Sequence, residues 1–474
     1  MGCRVAGAVL LAGSVAVTSW GKEPLLNPPS ETRLAEVDAY LLEKVYRSAD
    51  AEASLALVQN DPAWDALIQK HDIRLLGGPM IGQVTPGAAA VWVRTPKAAK
   101  VEWVLQGAGR KHVTKTVRTS ADGDFAAVLH VDGLKPFTRY HYTLRVNGES
   151  VFADGEWPSF RTAPEAGSKE QFSIGFGGCS RYVPKNEGIW RTIANEQPQA
   201  FLFLGDNIYI DEPSWRGRQR AMYYRRQFRP DYQALTSGTA MAAIWDDHDF
   251  GKNDCAGGPL PFEPAWKPKA WEVFRENWIN PAYGGGAERP GCWFDFSVGD
   301  VDVFMTDGRY YRDFKAGTML GPDQKAWLKK RLKASTATFK VIGSGTLFTK
   351  HADKGDKDSW WGVKEEREEL FSFIEAEGIN GVVLVAADRH RTDVYRLKRP
   401  NGYDFYEFVS GKITNLHTHN TNAKAEYSYN KGNFYGMLRF DFKVADPTVA
   451  FEAVDEQGDV LHRFELKRSQ LTHP

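Results

Sequence analysis

Four carboxylates, a histidine and an amide lie together in the segment AIWDDHDFGKND, which runs from Ala243 to Asp254. Carboxylates this close repel one another, and burying them costs several kcal/mol unless cations neutralise them. The apolar residues AIW predict a strand that enters the core just before the acidic residues, which favours a buried cluster over an acidic surface turn. The segment therefore predicts a cation site, and His248 adds a group that can transfer protons beside it.

Related side chains occur at the ends of three other predicted strands. Cys179 ends FSIGFGGC, Asp206 and Tyr209 belong to AFLFLGDNIY, and Asp388 and His390 belong to GVVLVAADRH. Because α/β sheets bind ligands beyond the carboxyl ends of their strands, we expect these ends to converge. Mixed sulfur, nitrogen and oxygen donors are typical of a centre that holds more than one metal. A simple turn or a buried structural thiol explains each strand end alone, but four such ends favour a metal centre.

The surrounding pattern predicts three structural parts after the leader. Residues 22–74 carry apolar residues at helical spacing and predict a helical N-terminal segment. Residues 75–164 show a period of two and predict a β-sandwich, in which Tyr140 of GLKPFTRYHYTLRVNG stands at the position of a corner tyrosine. Residues 170–466 alternate between short apolar strands and helical stretches, which predicts a layered α/β domain closed by antiparallel strands.

The leader and the composition narrow the classes of function. Residues 1–21 place one arginine before a short apolar run and small residues, which predicts a signal peptide and a secreted or periplasmic protein. The formal net charge is zero over 474 residues, so we expect no standing nucleic-acid partner. No later segment is long and apolar enough to predict a transmembrane helix. The sequence leaves the oligomeric state open.

Five motifs together resemble one enzyme family. GGCS, LGDNIYID, IWDDHDFGKND, MTDGRYYRD and AADRH have the order and approximate spacing of alkaline phosphatase D (PhoD-like) enzymes, a branch of the metallophosphoesterases. The resemblance implies an N-terminal fibronectin III/Ig-like β-sandwich followed by a layered αββα metallophosphoesterase (calcineurin-like) domain. It also implies hydrolysis of small or polymeric phosphate esters, with diesters favoured, at a centre that combines iron(III) with calcium.

The resemblance assigns roles to individual residues. It implies the metal ligands Cys179, Asp206, Tyr209, Asp247, Asn253, Asp388 and His390. Asp206 is expected to bridge two metals and His248 to be the catalytic residue, whereas Asp246 is either a ligand or a group that orients its neighbour. Thiolate and phenolate suit iron(III), and calcium prefers carboxylate and amide oxygens. The expected reaction is direct attack by metal-bound hydroxide, because no serine lies in a nucleophile elbow.

Five further residues have two interpretations each. Arg309 of MTDGRYYRD is expected to bind substrate phosphate through its planar fork, with a structural ion pair as the alternative. If the cysteine of GGCS is a ligand, Cys255 and Cys292 are left as a possible disulfide in an exported protein. His417 and His419 of NLHTHN invite a metal interpretation, but surface polar residues are favoured.

Two other kinds of function compete with hydrolysis of common phosphate esters. The first is a cell-surface protein that binds a ligand through its metal-bearing domain without turnover. His248 argues against this function, because a binding protein has no need for a proton-transfer group beside its metals. The second is a phospholipase or phosphotriesterase specialisation of the same fold, which the sequence does not distinguish because it does not identify the leaving group.

Overall fold

The computed structural model describes residues 31–355 and 357–474. The predicted signal peptide, residues 1–21, lies outside the described residues, as does the beginning of the predicted helical segment. Within the two described ranges, no helix is both long enough and apolar enough to cross a membrane.

Two helices open the described chain, α1 (Thr32–Leu41) and α2 (Pro62–Lys70). Asp61 caps α2 by accepting a hydrogen bond from the Ala63 amide, and Pro62 fills the first helical position, where no N–H is needed. The apolar stripe of α1 is buried in the main core of the protein. The described part of the N-terminal segment is therefore helical, as its apolar spacing predicts, and it packs on the main core.

A β-sandwich follows these helices. Its three-stranded sheet has the order β1-β2-β6 and consists of β1 (Gly77–Gly82), β2 (Ala88–Arg94) and β6 (Ala126–Asp132). Its second sheet consists of β3 (Lys100–Gly107), β4 (Arg110–Val113), β5 (Val117–Arg118), β7 (Arg139–Val146), β8 (Glu149–Ser150) and β9 (Ser159–Arg161). Apolar side chains from both sheets form one separate core. The hydroxyl of Tyr140 accepts a hydrogen bond of 2.9 Å from the Lys135 amide, so Tyr140 is a corner tyrosine as predicted.

The rest of the chain forms two facing sheets that share the main core. The six-stranded sheet has the order β12-β11-β10-β20-β21-β22 and the seven-stranded sheet has the order β13-β14-β15-β16-β18-β17-β19. The six strands are β10 (Gln171–Gly177), β11 (Ala200–Leu204), β12 (Ala240–Ile244), β20 (Phe434–Asp441), β21 (Thr448–Asp455) and β22 (Val460–Lys467). The seven are β13 (Phe294–Val298), β14 (Val301–Met305), β15 (Phe339–Ser344), β16 (Val382–Ala386), β17 (Thr392–Leu397), β18 (Phe405–Ser410) and β19 (Tyr427–Tyr429).

Helices lie in the connections between successive strands, both within each sheet and, for α6 and α7, from β12 of one sheet to β13 of the other. They are α3 (Ile189–Asn195), α4 (Arg216–Gln227), α5 (Pro230–Thr236), α6 (Asp247–Phe250), α7 (Trp266–Asn277), α8 (Gly321–Ala334) and α9 (Lys364–Ala376). β10, β11 and β12 are parallel, as are β14, β15, β16 and β18, and parallel pairing requires such crossovers. The result is the predicted αββα layering, with β20, β21 and β22 as the predicted antiparallel closure.

Candidate metal centre

The predicted ligands follow the carboxyl ends of parallel strands in both sheets. Cys179 comes after β10, Asp206 after β11, and Asp388 and His390 after β16. All four have a left-handed backbone, with φ of 55°, 54°, 64° and 46°. This conformation costs an L residue about 1–3 kcal/mol and is typically retained at functional sites. Here it turns the chain sharply at the strand ends, so that residues from both sheets meet.

Four predicted ligands meet on one side of this centre. The ligand atoms of Cys179, Asp206 and His390 lie within 4.8 Å of one another. The Tyr209 hydroxyl donates a hydrogen bond of 2.8 Å to Asp206 Oδ2 and lies 3.3 Å from His390 Nε2. The structure thus gathers one thiol, one phenol, one carboxylate and one imidazole around a single point.

Without a cation nearby, Cys179, Tyr209 and Asp206 would keep their protons, so they become anionic ligands only when a cation is bound. Burial, followed by the negative charge of Asp206, raises the pKa of both the Cys179 thiol and the Tyr209 phenol well above their usual values. Burial and Asp247 likewise raise the pKa of Asp206 well above its usual range. The buried Asp388 Oδ2 finds no hydrogen-bond partner among the described residues. An unpartnered carboxylate oxygen beside mixed anionic donors fits a metal centre.

Asp206 also belongs to a second group of potential ligands. Its ligand atom lies within 4.8 Å of those of Asp247 and His248. The His248 amide donates to Asp206 Oδ1 at 3.3 Å and to Asp247 Oδ1 at 3.0 Å. One carboxylate thus faces both groups, which is the placement that a bridging ligand requires.

His248 is held by residues from two elements. It lies in the short helix α6, whose first turn is closed by a capping box between Asp246 and Asp249. Its Nδ1 lies 2.8 Å from Asp211 Oδ1, and its ring stacks on Tyr209 with a centroid distance of 4.3 Å. Because a carboxylate can only accept hydrogen bonds, Nδ1 of His248 carries the proton of this bond. Nε2 then remains available to groups bound at the metal centre.

The charges around His248 favour its protonated form. Burial lowers the pKa of His248, but the negative charge of Asp206 and the hydrogen bond that His248 donates to Asp211 raise it to about 10. An imidazolium held in one orientation can donate a proton. Asp211 was not among the predicted site residues, although it is the last residue of the motif LGDNIYID.

Arg309 does not occupy the position expected of a substrate ligand. Its side chain is 0% exposed, with Nε 2.5 Å from Asp246 Oδ1 and Nη1 2.6 Å from Asp358 Oδ1. Nη1 also donates to the Cys255 carbonyl at 3.1 Å. The structural ion pair, the alternative interpretation, describes this arginine. Asp246 contacts Arg309 through Oδ1 and caps α6, while its buried Oδ2 has no hydrogen-bond partner among the described residues, so both interpretations of Asp246 stay open.

The possible disulfide is not formed. Cys179, Cys255 and Cys292 are all free thiols, with Cys292 buried and Cys255 partly buried. Burial raises the pKa of Cys255 to about 12, so the thiol is protonated and unreactive at neutral pH. The pairing expectation rested on counting cysteines, which says nothing about their separation in space.

Beside the group that contains Cys179, the centre has a second group of carboxylates, which we call the acidic half. The ligand atoms of Asp247, Asp254 and Asp358 lie within 4.8 Å of one another. Lys354 Nζ lies 2.5 Å from Asp358 Oδ2, 3.2 Å from Asp254 Oδ1 and 2.9 Å from Asp388 Oδ1, so an ammonium group is placed among these carboxylates. Asp254, Asp358 and Lys354 were not predicted as site residues. Asn253, the predicted amide ligand, is exposed on the turn after α6, and its role as a ligand stays a prediction.

Two further histidines, His417 and His419, lie at the solvent-facing edge of the centre. The ligand atoms of His390, His417 and His419 lie within 4.8 Å of one another, and the rings of His417 and His419 lie 5.1 Å and 5.5 Å from that of His390. His417 is exposed and His419 is partly buried. Nearby, Asn415 Nδ2 donates to the Tyr209 hydroxyl at 3.0 Å. The loop NLHTHN therefore lines one side of the centre. The sequence had instead favoured the interpretation that His417 and His419 are surface polar residues unrelated to the site.

Comparisons with known proteins agree with this arrangement. A family model described as PhoD-like phosphatase matches residues 174–472, and one described as a domain of unknown function (DUF7800) matches residues 72–163. Alkaline phosphatase D of Bacillus subtilis (strain 168) is 25% identical over 392 residues, which are 71% of this chain and 64% of that relative.

Two solved structures share the fold. The structure of PhoD matches with a TM-score of 0.69 at 18% identity, over 85% of this chain and 92% of that one. A purple acid phosphatase from yellow lupin (Lupinus luteus) seeds matches with a TM-score of 0.60 at 13% identity, over 83% and 75%. Since the PhoD-like model spans more than half of the sequence, the chain belongs to the PhoD-like phosphatase family.

Proposed function

We propose that the protein is an exported, metal-dependent phosphoesterase that favours phosphodiesters. One observation carries the proposal. A thiol, a phenol, a carboxylate and an imidazole converge on one point, and the shared carboxylate Asp206 also faces His248. A metal centre beside a protonated imidazole suits the hydrolysis of an ester with a poor leaving group. Export is proposed from the layout of the leader.

The proposed metals are iron(III) and calcium. Cys179, Asp206, Tyr209 and His390 would hold the iron, and Asp206, Asp247 and Asp388 would contribute oxygens to calcium. When bound, such cations neutralise charge on phosphate oxygens and activate water. Asp206 would fix the spacing of the two halves, because it belongs to both groups of potential ligands.

His248 would protonate the departing oxygen. Asp211 fixes its Nδ1, so that only Nε2 can deliver a proton to the centre. The stack on Tyr209 limits rotation of the imidazole. Substrate phosphate would therefore bind between the thiol-bearing side of the centre and Nε2 of His248.

Direct attack by water is favoured over a phosphoserine. Ser180 follows Cys179, but its side chain is 0% exposed. Its hydroxyl donates towards the carbonyls of Asp206 and Asn207 at 3.2 Å and 3.3 Å. A buried hydroxyl engaged with backbone carbonyls cannot approach phosphorus.

The test is an assay of the purified chain on phosphate mono-, di- and triesters, with the metal content measured on the same preparation. We expect the diesters to be hydrolysed fastest. His248→Ala should keep its metals and lose turnover by roughly 10²–10⁴-fold. His130→Ala, an exposed histidine of the sandwich, is the matched control and should stay near wild type. A metal-replete chain that hydrolyses none of these esters would instead support the binding function.

A further inference from the structure

The ammonium group of Lys354 lies among the carboxylates of the acidic half of the centre. Its Nζ is 2.5 Å from Asp358 Oδ2, 2.9 Å from Asp388 Oδ1 and 3.2 Å from Asp254 Oδ1. The side chain of Lys354 is only 15% exposed. An ammonium has three protons to donate, and here three carboxylates surround it. The ammonium of Lys354 is thus surrounded by carboxylate oxygens, as a metal ion bound at this position would be.

The carboxylates around Lys354 differ in their other partners. Asp358 is also paired with two buried arginines. Lys354 is the ion-pair partner of Asp254 and of Asp388. Its positive charge therefore lies beside the carboxylates of Asp254 and Asp388 and offsets part of their negative charge.

The backbone next to Lys354 is anchored. The carboxylate of Asp353 accepts a hydrogen bond of 2.9 Å from Asn422 Nδ2 and lies 3.0 Å from Arg391 Nη2. Asn422 Nδ2 also donates to the His351 carbonyl at 2.6 Å. The segment thus presents Lys354 to the centre from a fixed position, while the flexible four-carbon stem of lysine allows the ammonium to leave without movement of the backbone.

We propose that Lys354 is an internal cation of the centre, which occupies the place of one divalent ion and competes with calcium for Asp254 and Asp388. Calcium binds oxygen at about 2.3–2.6 Å, so it would contact the same carboxylate oxygens as the ammonium. Two cations on the same oxygens repel each other, and the repulsion is strongest at the buried Asp388. The inference rests on the proposed metal centre, but it does not depend on turnover.

The test compares calcium binding by Lys354→Met with binding by the full-length wild type. Methionine keeps the apolar stem and removes the charge. We expect the variant to bind one additional calcium ion per chain, or the same number at least about tenfold more tightly, in calorimetric titration with calcium alone. Lys354→Arg keeps the charge and should bind calcium like the wild type. Lys350→Met removes an exposed lysine of the same segment and is the matched control.

A second readout covers a variant that folds poorly without calcium. Added calcium should raise the melting temperature of Lys354→Met more than that of the wild type, because calcium replaces the missing cation. Equal calcium number, affinity and thermal shift in both chains would overturn the proposal. Absence of ester hydrolysis in the wild type would count against the proposed function alone, since calcium binding is measured without substrate.

Discussion

Nδ1 of His248 lies 2.8 Å from Oδ1 of Asp211, and this contact joins the ends of two neighbouring strands. β11 leads into the segment that contains Asp206, Tyr209 and Asp211, and β12 leads into His248. The segment after β11 that supplies two potential ligands therefore also supplies Asp211, the group that orients His248. Residues proposed for proton transfer and for metal binding thus lie on the same two adjacent strand ends, but they are different side chains.

Asp211→Asn should separate these two roles. The amide keeps the size of the carboxylate but removes its charge, so the imidazolium of His248 is no longer favoured or firmly oriented. We expect kcat on alkyl diesters to fall by up to about 10²–10⁴-fold with KM and metal content near wild type. Asp211→Glu should recover part of the loss. A fall in metal content that parallels kcat would show that Asp211 acts through the metals instead.

The second prediction concerns the attacking group. Ser180→Ala should retain turnover, because the buried Ser180 hydroxyl donates towards backbone carbonyls and does not reach substrate. Direct attack by water inverts the configuration at phosphorus in one step. A chiral thiophosphate diester hydrolysed in heavy-oxygen water reports the outcome. Retention of configuration, or phosphate trapped on Ser180, would require a covalent intermediate.

Arg309 should matter for stability even though it does not reach substrate. Arg309→Met leaves Asp246 and Asp358 buried without this partner, and breaking a buried pair typically costs about 3–5 kcal/mol. Urea unfolding should show a loss of that order. Arg289→Met removes an exposed pair with Asp323 and should cost no more than about 1 kcal/mol. Equal losses in the two variants would contradict the structural role.

The fourth prediction concerns the contact between α1 and α4. Asp38 lies 2.8 Å from Arg225 Nε, and burial raises the pKa of Asp38 to about 6 although Arg225 lowers it. The native chain therefore holds this proton more tightly than the unfolded chain. The stability that Asp38 contributes is full at low pH and is lost as pH rises through about 6.

Asp38→Asn provides the reference for this effect, because asparagine does not titrate. From pH 4 to pH 7, the free energy of unfolding of the wild type should fall relative to the variant by roughly 1–3 kcal/mol. Urea unfolding of both chains at the two pH values measures the difference. A constant difference, or one that grows in favour of the wild type, would contradict the raised pKa.

The parts of the site that the sequence predicted share one property. Each of these residues follows a short apolar run, so the strand and the position of its end could be predicted from neighbouring residues alone; they are Cys179, Asp206, Tyr209 and His390. Because parallel strands align their carboxyl ends, local patterns were enough to predict that these side chains meet. The corner role of Tyr140 was predictable for a similar reason, since its partner Lys135 is five residues away.

The parts that the sequence missed depend on contacts between distant segments. Lys354 and Asp358 come from an irregular segment without periodicity, and only the fold brings them to Asp388 and Asp254. Arg309 has the same chemistry whether it faces phosphate or Asp246, so its type alone does not decide between the two. No local pattern reports which of these partners a side chain reaches.

The central claim is that turnover depends on metal held by Cys179, Asp206, Tyr209 and His390. The most direct measurement is the rate of phosphodiester hydrolysis by the full-length chain before metal removal, after removal, and after return of iron and calcium, with metal content determined on each sample. We expect the rate to fall with the metal and to return with it in the wild type, and to stay low in Tyr209→Phe, which should also bind less iron. Undiminished hydrolysis by a folded chain that is free of metal would contradict the claim.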